Sequence, residues 1–120
     1  MSEVKLDQRH LEAVARLFGV LAEPTRLAIL QRLKEGALAV KDLVEALGAK
    51  QANISKQLGI LYDAGLVERR REEGLVRYAI SEPMIFELCQ LVCNKLQRDA
   101  EKQMELLRLL RGKLDSERDG

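Results

Sequence analysis

Apolar residues in this chain keep helical spacing through four short segments and then change period at Leu66, and that change constrains the fold more than any other feature. From about Asp7 to Leu21, residues Leu11, Val14, Leu17, Phe18 and Leu21 fall at helical spacing. Pro24 suits the first turn of a second helix, where its missing N–H costs nothing. Leu27, Ile29, Leu30 and Leu33 carry that helix to a stop near Gly36. Val40, Leu43, Val44 and Leu47 form one buried stripe on a short third helix, and Gly48 supplies its left-handed C-terminal turn. Ile54, Leu58, Leu61 and Tyr62 repeat the spacing on a fourth, closed by Gly65.

Beyond that point Leu66 to Arg71 and Leu75 to Ile80 read as short strands, with Val76, Tyr78 and Ile80 alternating against Arg77 and Ala79. Glu72, Glu73 and Gly74 join them, with Gly74 free to take a positive φ. A last helix is expected from near Pro83 to about Arg111. Residues 112–120 are poor in apolar side chains and read as a flexible tail after a single domain over 1–111. The predicted fold class is therefore mainly α with a small β-hairpin. Two short helices across a glycine-containing turn make a helix-turn-helix, and the hairpin behind them makes it a winged one.

The fourth helix has two unlike faces. Ile54, Leu58, Leu61 and Tyr62 point inward. Ala52, Asn53 and Lys56 point outward, Ser55 and Gln57 lie on the flanks, and Lys50 and Gln51 open the segment. Ile60 also turns outward, and no role for it follows from the sequence. Short polar side chains on an exposed helix face suit base edges in a major groove: asparagine and glutamine can pair with adenine, Lys56 can reach guanine or phosphate, and Ala52 can lie against a thymine methyl. Net charge is only +1, but from Lys50 to Arg71 five basic residues face two acidic ones. Arg69, Arg70, Arg71 and Arg77 surround the hairpin, where they can hold phosphates or enter a minor groove. The alternative is that they are solvated charges balanced by Glu68, Glu72 and Glu73. Tryptophan is absent and aromatic residues are scarce, which argues against stacking on single-stranded bases.

The segment Leu21-Ala22-Glu23-Pro24-Thr25-Arg26-Leu27-Ala28-Ile29-Leu30 resembles the opening of the ArsR/SmtB family of winged-helix repressors. Val40-Lys41-Asp42-Leu43, Asn53-Ile54-Ser55-Lys56-Gln57-Leu58 and Leu61-Tyr62-Asp63-Ala64-Gly65-Leu66-Val67 continue the resemblance in the same order. Arg69 to Gly74 and Val76-Arg77-Tyr78 look like its wing, so that the likeness spans about residues 10 to 82. It implies a homodimer that binds near-palindromic double-stranded operator DNA and is released by an inducer. The residues supply a rationale for the dimer: the first and last helices carry more apolar surface than a thin domain can bury. On the last helix this surface comprises Ile85, Phe86, Leu88, Cys89, Leu91, Val92, Cys93 and Leu96, followed by Met104, Leu106, Leu107, Leu109 and Leu110.

Cys89 and Cys93 lie one helical turn apart and can converge on a soft ion, although a third ligand must come from elsewhere. They read either as a metal- or redox-sensing pair or as small apolar residues packed in a dimer interface. The resemblance adds that family members often sense through cysteines. The third-helix thiolates of many members are replaced here by Ala39 to Val44, and the Asp/His-rich zinc pattern of the last helix is missing. No resident cofactor is expected; a thiophilic metal or metalloid, or a sulfur or oxidant species, is the candidate inducer. With a single histidine, His10, and no adjacent nucleophile, base and orienter, catalysis is not expected. A protein-interaction module is the remaining alternative. The N-terminal residues Met1 to Lys5 lack the pattern of a secretory signal, and no run reaches the roughly 18 apolar residues of a membrane span, so a cytoplasmic location is expected.

Overall fold

The computed structural model describes residues 6–119. It resolves into two units that meet between Glu82 and Pro83.

In the first unit, α1 (Gln8–Leu21) starts where the Asp7 carboxylate accepts the His10 N–H at 3.0 Å. The His10 ring nitrogen faces back to the Asp7 N–H at 3.4 Å, so the lone histidine serves as half of a helix cap. α2 (Pro24–Leu33) has Pro24 in its first turn and the Glu23 carboxylate accepting from the Arg26 N–H at 3.1 Å. Then comes a two-residue strand, β1 (Leu38–Ala39), that the sequence does not announce; two residues carry no readable period. α3 (Val40–Leu47) follows, its start held by the Ala39 N–H donating to Asp42 at 3.0 Å. Gly48 ends it at φ 61°, as its position after the last apolar residue suggests. α4 (Gln51–Asp63) ends just before Gly65, which stands at φ 75°.

The wing is β2 (Val67–Glu72) and β3 (Leu75–Ile80), one residue later at the first strand than the sequence suggests. The connection is therefore the two-residue turn Glu73-Gly74, with φ 52° and 77°. Positive φ at both central residues matches the right-handed twist of the strands. β1 pairs antiparallel with β3 through Leu38 opposite Tyr78 and Ala39 opposite Arg77, giving the sheet order β1-β3-β2. Ile29, Leu30 and Leu33 of α2, Leu43 of α3, and Ile54, Leu58 and Leu61 of α4 are buried together with Leu66, Val67 and Ala79. This core welds the helix-turn-helix to the base of the wing. Tyr62 departs from its expected inward position: it is 40% exposed and lies under an arginine of the wing. Ile60, expected outward, is half-buried.

The second unit is one helix, α5 (Met84–Asp119), of 36 residues. It runs past Arg111, where the sequence places its end. A lone Gly112 costs only about 1 kcal/mol in a helix interior, and Lys113 to Arg118 include no helix breaker. Along α5, Lys95 pairs with Asp99 and Glu105 with Arg108, one turn apart. Leu91, Val92, Leu96, Met104, Leu106, Leu107, Leu109, Leu110 and Leu114 are exposed in the single chain, as are Leu11, Val14 and Phe18 of α1. Among the described residues no helix is long and apolar enough to cross a membrane.

Candidate nucleic-acid interface

The left-handed turn at Gly48 ends α3, and only two residues separate it from the opening of α4 at Gln51. Lys50 stands before the first helical turn without a side-chain cap, and that turn holds no acidic residue. Its leading N–H groups and the positive end of the helix dipole are thus open to an anion. Lys50, Gln51, Ala52, Asn53, Ser55 and Lys56 are exposed along this end. They form one continuous polar surface.

Gln57 does not belong to that surface. Only 7% exposed, it accepts at Oε1 from Arg26 Nη1 (2.7 Å) and donates through Nε2 to Asn53 Oδ1 (3.0 Å). The expectation that it lies on the flank as a base reader is corrected by this contact. Its partner is 31 residues away on α2, beyond the reach of any periodicity. Arg26 also donates through Nε to Val20 O (2.5 Å), a carbonyl that the last turn of α1 leaves free, and through Nη2 to Gly19 O (3.3 Å), which already accepts the Ala22 N–H. Sequence reading overlooks Arg26 because a half-buried arginine on α2 looks like any other helix charge.

The wing arginines divide by strand face. Arg69 and Arg71 share a face with Tyr78 and Val76, whereas Arg70 stands directly opposite Arg77 on the other. Like charges in that position repel. Carboxylates offset the repulsion: Glu68 bonds Arg70 (2.6 Å), and Arg77 lies between Glu72 (3.8 Å) and Asp42 (4.0 Å). Arg69 rests with its guanidinium carbon 3.8 Å from the centre of the Tyr62 ring. Hydrogen bonding to Tyr62 is the main cause that raises its pKa above the ordinary arginine value, against a smaller desolvation effect, so it stays charged. Arg71 has no ion-pair partner among the described residues. Both sequence readings thus have a place here. Arg70 and Arg77 are balanced charges, while Arg69 and Arg71 offer positive charge outward.

Cys89 is half-buried and Cys93 exposed, and both are free thiols. Among the described residues no three His, Cys, Asp or Glu side chains gather as a metal site. Two sulfurs fill half of a tetrahedral shell, so the pair by itself does not complete such a site.

A family model described as a helix-turn-helix domain matches residues 21–70. The solution structure of a homodimeric winged helix-turn-helix DNA-binding domain from Mycobacterium bovis, described as a possible ArsR-family transcriptional regulator, is 32% identical. The match covers 82% of this chain and 94% of that one, with a TM-score of 0.68. An uncharacterized HTH-type transcriptional regulator of Mycobacterium tuberculosis, Rv0081, is 36% identical over 98 residues, 81% of this chain and 86% of its own. The chain belongs to the ArsR/SmtB family. The crystal structure of Rv0081 superimposes with a TM-score of 0.73, at 32% identity, over 82% of this chain and 99% of that one. This ArsR/SmtB chain is also 37% identical over 82 residues to a probable mercury resistance operon repressor of Streptomyces lividans, 68% of this chain and 66% of the relative. It is a winged helix-turn-helix transcriptional regulator that binds DNA, and not an enzyme.

Proposed function

We propose that this regulator is a cytoplasmic homodimeric repressor that inserts α4 into the major groove of a near-palindromic operator and leaves it when an inducer binds. The observation that carries the reading is the uncapped, acid-free start of α4 with its exposed row from Lys50 to Lys56, beside a wing that offers Arg69 and Arg71. Lys50, Gln51, Ala52, Asn53, Ser55 and Lys56 approach bases and leading phosphates. Arg69 and Arg71 hold phosphates flanking the site, while Arg70 and Arg77, balanced by Glu68, Glu72 and Asp42, contribute less to its field. Gln57 acts through Asn53 and not on DNA directly.

Dimerisation is supported by the unpartnered apolar faces of α1 and α5; surfaces of that size on a small chain favour association. Two copies would set their α4 helices about 34 Å apart, one turn of DNA. Sedimentation of the chain with and without a selected operator duplex tests this. A two-to-one complex is expected, and a monomer bound to one half-site contradicts it.

The exposed Cys93 and half-exposed Cys89 give a soft electrophile or ion access to two thiols one turn apart. We propose that this pair receives the inducer, a thiophilic metal or metalloid or a sulfur or oxidant species. The relative described as a probable mercury resistance operon repressor agrees with that chemistry.

A further inference from the structure

We infer that Arg26 sets the polarity of the Asn53 carboxamide and thereby decides which base edges α4 reads; the inference rests on the DNA-binding reading above. A guanidinium donates hydrogen bonds and accepts none. Arg26 Nη1 sits 2.7 Å from the Gln57 amide, so the group facing it has to be the oxygen. Nε2 of Gln57 then points back along α4 and donates to Asn53 at 3.0 Å, and the atom receiving that bond has to be Oδ1. Both protons of Asn53 Nδ2 are left, with no protein acceptor among the described residues, on the exposed face of the helix. Arg26 cannot swing away to relax this order without releasing Val20 O and Gly19 O at the end of α1. Gln57 is also the one buried polar side chain among the described residues, so its amide is largely shielded from water.

The outcome is an asparagine that meets DNA chiefly as a donor. In the major groove guanine shows two acceptors, O6 and N7, whereas cytosine shows only the N4 donor. Adenine and thymine each show one acceptor. Asn53 is accordingly the specificity-determining contact, favouring guanine and disfavouring cytosine. Arg26 and Gln57 touch no base and are positioning residues.

The test is selection of duplexes from a randomised pool by the full chain and its variants, each checked for folding by thermal melting. Gln57→Glu is isosteric and can only accept. Its carboxylate takes hydrogen bonds from Arg26 and from Asn53 Nδ2, turning Asn53 Oδ1 outward. At one position of each half-site the preference is expected to move from guanine to cytosine or adenine, by about tenfold in the selected ratio. Gln57→Met removes the constraint and should flatten the preference at that position, and Asn53→Ala should abolish it. The proposal is overturned if folded Gln57→Glu or Gln57→Met selects the parent's base with the parent's ratio, or if Asn53→Ala keeps it. A parent chain that enriches no duplex overturns the DNA-binding reading instead, so the two failures are distinguishable.

Discussion

Replacing Arg26 by alanine removes three hydrogen bonds at once, and their surroundings set the cost. The bond to Gly19 O is exposed, so water replaces it at little cost. Those to Val20 O and Gln57 Oε1 are part-buried, and the second leaves a buried amide oxygen without its donor. Hydrogen bonds from charged groups contribute about 1.5–3 kcal/mol each. Taking the low end for a half-buried arginine, Arg26→Ala should lose about 3 kcal/mol. For a chain of this size that is a fall in Tm of roughly 10–20 °C. Urea unfolding followed by circular dichroism measures it, with the protomer concentration held fixed because association shifts apparent stability. Arg26→Lys should recover only part of the loss, because one ammonium cannot reproduce the fork that reaches all three acceptors. Gln57→Met combined with Arg26→Ala should cost about 1–2 kcal/mol less than the two changes added, since both remove the same contact. A loss under about 0.5 kcal/mol for Arg26→Ala, or additivity in the double variant, would refute the reasoning.

Leu58 is fully buried between α4 and the rest of the core, and Leu58→Ala should cost about 2–5 kcal/mol in the same unfolding measurement. Gly48→Ala meets no atom within 4 Å, so its cost should be purely conformational, about 1–2 kcal/mol for an alanine held at φ 61°. Replacing Cys89 and Cys93 by serine should leave operator affinity within about twofold while abolishing release by every thiophilic inducer that acts on the parent. A double variant that still responds in a binding titration assigns the thiols a packing role alone.

The helices and the wing were legible because each spans several turns or several alternations, so that Leu43, Ile54, Leu58 and Leu61 reveal their buried stripe by spacing alone. β1 was not, because Leu38 and Ala39 belong to a strand only by virtue of Tyr78 and Arg77, nearly forty residues on. The exposed row on α4 was legible from Lys50 to Lys56 but ended too late in the sequence reading, at Gln57. A glutamine at the edge of a polar face looks exposed until a long-range donor claims it. Tyr62 failed in the opposite sense: its apolar ring suggested the core, while the charge of Arg69 offered its face a partner at the surface. The end of α5 was misplaced because sparse apolar content was read as the end of a helix, although charged, helix-forming residues continue one without burying it.

The most direct test of the central claim is the affinity of the chain for a labelled operator duplex, measured from about 50 to 200 mM salt, beside Lys56→Ala and Arg71→Ala. Affinity should fall linearly on logarithmic axes. Each variant should reduce the slope by about two per dimer, one phosphate contact being lost in each subunit. Binding that is absent at the lowest salt, or that is indifferent both to salt and to these two substitutions, would contradict the assignment of α4 and the wing as the DNA-binding surface.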